Sequence, residues 1–102
     1  MSNIVVFVNY EIKPEFRTEY LALMKEIKVN IMAHTDISYS VFESNEKSNC
    51  FSEVFQCPTR FSFNSFNQLA ETSARLNFLL HEVDKCILNY SHLVREKEAL
   101  AA

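Results

Sequence analysis

The residue best placed for chemistry is a glutamate at the centre of an otherwise apolar strand. In Cys50-Phe51-Ser52-Glu53-Val54-Phe55-Gln56-Cys57, strand side chains alternate between faces. Phe51, Glu53, Phe55 and Cys57 therefore share one side, and Cys50, Ser52, Val54 and Gln56 share the other. A carboxylate held between two phenyl rings on a face that packs under a helix must be hydrogen-bonded, paired or protonated, because burying it alone is costly. Apolar surroundings raise its pKa toward working pH, which suits a group that takes or holds a proton. The competing reading is a structural carboxylate bonded to backbone or tyrosine at a pocket wall or dimer seam. Tyr39, on the neighbouring strand, is placed to hydrogen-bond a substrate oxygen, or else to satisfy its hydroxyl locally as buried tyrosines commonly do.

His81 is the one histidine placed on a helix expected to border the pocket, where it would act as a general base; a lone helical histidine is more often solvated or core. His34 and His92 fall near element ends. Phe55, Phe63 and Phe78 are the rings placed to line an apolar substrate pocket, and Phe61 and Phe66 complete a set that serves first as core. Cys50, Cys57 and Cys86 are an odd number without CxxC spacing, which argues against a disulfide framework and a zinc site. They read as reduced, mostly buried thiols. No metal is expected.

Composition narrows the function classes further. A chain of 102 residues, 48% hydrophobic, with nine Phe, four Tyr and no Trp, suffices for one ring-rich core and not for two. The net charge of -3 comes from scattered acids and bases, with no basic cluster for phosphate neutralisation, so nucleic acid is not an expected partner. No apolar run approaches the roughly 20 residues that span a bilayer, and Met1-Ser2-Asn3 lacks a basic signal-peptide start. The expectation is a cytoplasmic protein without membrane contact. The chain contains no glycine, which removes the Gly-rich phosphate loop and the dinucleotide fingerprint together.

The elements that must position Glu53 follow from periodicity. Asn3 to Ile12 alternates and is β-branched, a strand apolar on both faces for its first half. Pro14 opens a helix with Glu15 in its first turn. Phe16, Tyr20, Leu23, Met24, Ile27 and Ile31 form its buried face, while Arg17, Glu19, Lys25 and Lys28 stay wet, to an end near His34. Ile37 to Glu43 alternates as a second strand, Ser44 to Asn49 reads as a hairpin loop, and the Glu53 strand returns from it to Pro58. Thr59 caps a second helix with Phe61, Phe63 and Phe66 on its apolar side. A break at Glu71-Thr72-Ser73 starts a third helical segment that buries Leu76, Leu79, Leu80 and Val83. Cys86 to Leu93 alternates as a last strand. Residues 1–93 thus make one domain. Residues 94–102 form a C-terminal tail that favours helix by propensity and is expected to be frayed or packed on a partner.

Strand, helix, strand, strand, helix, strand is the ferredoxin-like βαββαβ pattern of an α+β fold, an antiparallel sheet with its helices on one face. Val5, Phe7 and Val54 make the opposite face apolar as well, and a second copy of the chain is the expected cover, giving a homodimer.

Taken in order, Ile4-Val5-Val6-Phe7 with Ile12-Lys13-Pro14, Ile37-Ser38-Tyr39-Ser40-Val41, Ser52-Glu53-Val54-Phe55 and Phe61 to Asn64 resemble the antibiotic biosynthesis monooxygenase-like family of the dimeric α/β barrel superfamily. The resemblance runs from about Asn3 to Leu93. It implies a dimer whose sheets close a barrel and a pocket in each subunit between sheet and helices. It also implies oxidation of a small aromatic or polycyclic phenol by O₂ without metal, flavin or other cofactor. Two alternatives accompany it: a non-catalytic dimeric ligand-binding or interaction protein, and a heme-degrading monooxygenase in which His81 would be the axial ligand. The chain departs from the family pattern at three places. Phe55 stands where a Trp commonly follows the strand glutamate, and Asn64 stands where a His is common. The Thr35-Asp36 region replaces a Gly before the second strand. Asn64 is then a neutral hydrogen-bond donor to substrate and not a base.

Overall fold

The computed structural model of the chain describes residues 2–91 and 95–100, with side chains described for 4–91; His92 and Leu93, placed in the last expected strand, lie outside the described residues. Strand β1 spans Ser2–Ile12, and Pro14–Phe16 make a 3₁₀ turn that leads into helix α1, Arg17–His34. The hairpin is β2, Ser38–Glu43, with β3, Cys50–Cys57. Helices α2, Arg60–Thr72, and α3, Ala74–Cys86, follow, then β4, Ile87–Tyr90, and β5, Arg95–Leu100. The sheet is antiparallel in the order β2-β3-β1-β4, with β5 also paired to β1. This is the ferredoxin-like α+β arrangement that the sequence pattern implies.

The starts of the second and third helices are capped by side chains. The Thr59 hydroxyl accepts the backbone N–H of Ser62 at the start of α2, and the Ser73 hydroxyl accepts that of Leu76 at the start of α3. Each satisfies an N–H that the first turn leaves without a partner. Ser73 also ends α2, so the break at Glu71-Thr72-Ser73 is one residue serving two helices.

Ile4, Val6, Tyr10 and Ile12 of β1 bury one face against Tyr20, Met24, Ile27 and Ile31 of α1, Phe51, Phe55 and Cys57 of β3, and Leu76, Leu79, Val83 and Cys86 of α3. Cys57 and Cys86 are buried and Cys50 is half-buried, and none of the three is in a disulfide. One packing expectation fails. Phe61 is 78% exposed, because the residue that α2 turns inward at this point is Ser62, whose hydroxyl donates to Asp36. Leu80, like Phe16 and Leu23, is half-buried and packs against the core.

The C-terminal segment differs from the helical propensity of its residues. Its backbone runs antiparallel to β1, from Phe7 opposite Arg95 to Ser2 opposite Leu100. Strand β4 covers only Tyr10 to Ile12 on that side of β1. The remaining edge offers unpaired N–H and C=O groups, and pairing to them outweighs a weak local preference.

Candidate functional site

Strand register assembles the site. Across β3, Glu53 faces Val8 of β1 and Val41 of β2. Tyr39 of β2 stands opposite Phe55, and Tyr10 of β1 stands opposite Phe51. Both tyrosines are therefore diagonal neighbours of Glu53 on the helix-covered face, within reach of a long side chain. Helix α1 adds Tyr20 and Met24, one turn apart, from above. A slip of one residue in either pairing would put the acid and its tyrosines on opposite faces.

The resulting polar cluster lies inside the apolar core. Glu53 is 9% exposed, and Tyr10, Tyr20 and Tyr39 are buried. The Tyr39 hydroxyl donates to Glu53 Oε1 in a short hydrogen bond and lies 3.3 Å from Met24 Sδ. The Tyr10 and Tyr20 hydroxyls are 2.8 Å apart, and Tyr10 stands close enough to the Glu53 carboxyl to influence its pKa. Among the described residues no buried side-chain nitrogen or oxygen lacks a partner.

Burial raises the Glu53 pKa, and the hydrogen bond from Tyr39, then the nearby Tyr10 hydroxyl, oppose that rise without reversing it. The same desolvation, then the Glu53 charge, pushes Tyr39 and Tyr10 well above the ordinary phenol range. A tyrosine has one proton to give. With Glu53 ionised, Tyr39 gives it to the carboxylate; with Glu53 protonated, Tyr39 accepts from the acid and its own proton turns to Met24 Sδ. The cluster thus has a satisfied arrangement for either protonation state of the acid.

One cavity reaches this cluster. It has a volume of about 410 Å³ and lies between α1 and the β2-β3 hairpin, with Met24, Tyr39, Val41 and Phe51 on its walls. Tyr39 is the residue common to the cavity and the hydrogen bond to Glu53. The acid itself is not among the lining residues, and Tyr39 is its link to the cavity.

The mouth is braced from the hairpin. Glu43 takes two hydrogen bonds from the Arg17 guanidinium, at 2.5 and 2.7 Å, and one from the Asn49 backbone N–H at 2.9 Å. These bonds, that from Arg17 foremost, lower its pKa to about 2. Arg17 also reaches Asn49 Oδ1 at 2.9 Å and lies over the Phe51 ring. Asn49 adopts φ 66°, a left-handed conformation. In a chain without glycine, asparagine is the residue that takes this turn most readily.

The structure brings together Glu53, Tyr39 and Phe55, whose ring is 4.9 Å from that of Tyr39. Phe63 is half-buried under Arg60, and Asn64 is exposed. His81 is exposed on α3, its Nδ1 2.9 Å from the Asn77 carbonyl oxygen. Phe78 is 52% exposed and lies under Arg75. His81 and Phe78 line a different hollow with Glu71, Asn77, Glu82 and Lys85. That lining mixes the Phe78 ring with polar and charged side chains and does not include Glu53 or Tyr39. Among the described residues no cluster of His, Cys, Asp or Glu is arranged to hold a metal ion. Sequence reasoning missed Tyr10, Tyr20 and Met24 as members of the cluster around Glu53. The available signal was the parity of Tyr10 on β1 and the three- and four-residue spacing of α1, which put two phenols and a thioether on the face that carries the acid.

No protein-family model matches the chain, and no curated protein matches it in sequence. Solved structures do match over nearly its whole length. A conserved protein from Methanosarcina mazei superposes with a TM-score of 0.73 at 16% identity, covering 100% of this chain and 95% of the other. A candidate antibiotic biosynthesis monooxygenase from Chloroflexus aurantiacus gives 0.76 at 10% identity, covering 98% and 95%. SnoaB, a cofactor-independent oxygenase from Streptomyces nogalater solved as a point mutant, gives 0.71 at 6% identity, covering 97% and 92%. The chain has the antibiotic biosynthesis monooxygenase-like fold. At these identities the likeness is one of fold, and it agrees with the resemblance drawn from the short sequence motifs. No described helix is long and apolar enough to cross a membrane.

Proposed function

We propose that the protein is a cofactor-independent monooxygenase acting on a small aromatic or polycyclic phenol in the cavity under α1. The observation that carries this reading is the position of Tyr39, which lines the cavity and whose hydroxyl hydrogen-bonds a buried carboxyl of raised pKa. That the fold is shared with a cofactor-independent oxygenase supports it.

A phenol bound with its hydroxyl against Tyr39 passes its proton by way of that hydroxyl to Glu53. Tyr39 keeps a proton throughout, as its strongly raised pKa requires. The phenolate ring is the electron donor. It transfers electrons to O₂, forms a C–O bond at the carbon para to the phenol oxygen, and the peroxide takes back the proton held on Glu53. Loss of the ring hydrogen with cleavage of the O–O bond gives the quinone and one water. One phenol and one O₂ thus become one quinone and one water, with no external reductant. The protein's part is to exclude water, hold the proton and confine O₂ beside the ring.

In this reading the active form is a homodimer. Val5, Phe7 and Val54 are only half-buried on the sheet face away from the helices, and Phe42 on the same face is 59% exposed. Phe7 and Val54 are direct cross-strand neighbours, so the apolar surface is continuous. Sedimentation of the parent and of Val54→Lys tests the assembly, with a dimer expected for the first and a monomer for the second.

Oxygen uptake with anthrone and hydroquinone substrates, comparing the parent with Glu53→Gln, tests the chemistry. A loss of about 100-fold or more in kcat is expected for removing the proton acceptor. Equal rates in the two proteins, or no uptake by the parent across the panel, would defeat the proposal.

A further inference from the structure

We infer that the substrate taken by the cavity under α1 is an anionic aromatic, a phenol that also carries a carboxylate, and that Lys25 and Lys28 hold the carboxylate at the mouth. The inference rests on the oxygenase reading for the location of the site and adds the substrate class.

The cavity has two unlike parts. Its walls, Met24, Tyr39, Val41 and Phe51, are apolar apart from the Tyr39 hydroxyl, and they suit an aromatic body with one polar contact. Its rim carries three charged groups: Lys25 and Lys28 from α1, and Glu43 from β2. Spacing of three residues puts the two lysines on the same side of the helix, so both side chains stand over the same opening. They are exposed.

Pairing decides the sign of the rim. The Glu43 charge is already committed to Arg17, which bonds both of its oxygens. Neither Lys25 nor Lys28 has a hydrogen bond or ion pair among the described residues. The opening therefore presents two uncompensated ammonium groups on a chain whose net charge is -3. A neutral polycycle would use the apolar walls and leave those ammonium groups idle. A ligand with an acid at the end away from its phenol would use both parts at once, its hydroxyl at Tyr39 and its carboxylate at the lysines. The plainer role of such lysines is to lay their aliphatic stems over apolar surface. Substitution by methionine keeps a stem and removes the charge, so it separates the two roles.

The test is a fluorescence titration of the dimeric or monomeric protein, as isolated, with two probes: a naphthol, and the hydroxynaphthoate that differs from it by one carboxylate. Three proteins are compared, the parent, Lys25→Met with Lys28→Met, and Leu21→Trp, which narrows the cavity from its partly exposed rim. The parent should bind the hydroxynaphthoate about fivefold more tightly than the naphthol, the yield expected of two exposed charge pairs. That preference should shrink as salt is raised. The double methionine variant should lose the preference and keep its affinity for the naphthol, and Leu21→Trp should weaken both. Equal affinities in the parent, or a preference that survives in the double variant, would overturn the inference and leave the oxygenase site standing. Failure of both probes to bind, or binding untouched by Leu21→Trp, would overturn the inference together with the cavity on which the oxygenase reading depends.

Discussion

Glu53 and Glu43 belong to the same hairpin, yet the fold sends their pKa values in opposite directions. They occupy adjacent cross-strand pairs on the cavity side of that hairpin: Glu53 opposite Val41, and Glu43 opposite Phe51. Glu43 sits at the rim with a guanidinium on both oxygens and is held near pKa 2. Glu53 sits in the core with only neutral phenols as donors, and burial outweighs them. A carboxylate with a committed cation stays charged and structural. One surrounded by hydroxyls can gain and lose a proton without losing its partners, as acid-base chemistry requires.

Ways to break this contrast can be ranked by expected effect. The largest is the loss of about 100-fold or more in kcat for Glu53→Gln. In the parent, kcat/KM for a phenol should fall as pH drops through the raised pKa of Glu53, because the protonated acid accepts nothing. Next is Tyr39→Phe, which takes from the carboxyl the hydroxyl that donates to it and from the cavity lining its one phenol. Urea denaturation should show a loss of about 1–3 kcal/mol, the cost of a buried group left short of a partner, and oxygen uptake should fall as well.

A subtler effect lies in the pH dependence of stability. The folded pKa of Glu53 is raised, so the native state holds the proton more tightly than the unfolded chain. Its contribution is fully present below the ordinary carboxylate pKa of about 4.3 and is lost as pH rises through the folded value. Denaturation midpoints of Glu53→Gln, measured across that window, should lack this decline, leaving the variant more stable than the parent on the alkaline side. Glu43 runs the other way. Its contribution is present above the ordinary carboxylate range and disappears as pH falls toward about 2. Arg17→Met should flatten that acid limb and alter stability at neutral pH only slightly, since the pair is solvent-exposed. The smallest effect is expected for His81→Ala, whose ring faces solvent on α3 and whose loss should leave oxygen uptake unchanged.

The fold was legible because its signals are local and mutually consistent. The alternation in β1 and β3, Pro14 before α1, Thr59 as a cap, the break at Glu71-Thr72-Ser73 and the polar loop before Cys50 each specify an element without reference to the others. The part of the site that was legible, Glu53 with Tyr39 and Phe55, follows from parity on two paired strands. Parity cannot show depth: the same pattern puts Glu53 on the helix side whether or not it lines the cavity. The helical candidates were harder, since a rotation of α2 by one residue exchanges Phe61 for Ser62 at the core, and His81 and Phe78 are separated from Leu79 by only one or two positions. The tail could not be read from its own residues at all. Arg95–Leu100 is a strand because β1 has an open edge, which is a property of another segment.

The central claim is that Glu53 is a buried acid whose proton is governed by Tyr39 at the cavity wall. Carbon-detected NMR titration of the glutamate carboxyls, with Glu53 assigned by its loss in Glu53→Gln and followed in the parent and in Tyr39→Phe, measures this directly. Glu53 should titrate above every other resolved glutamate in the parent and move higher still when the Tyr39 hydroxyl is removed. A Glu53 resonance that titrates in the ordinary carboxylate range, or that ignores the loss of Tyr39, would contradict the account.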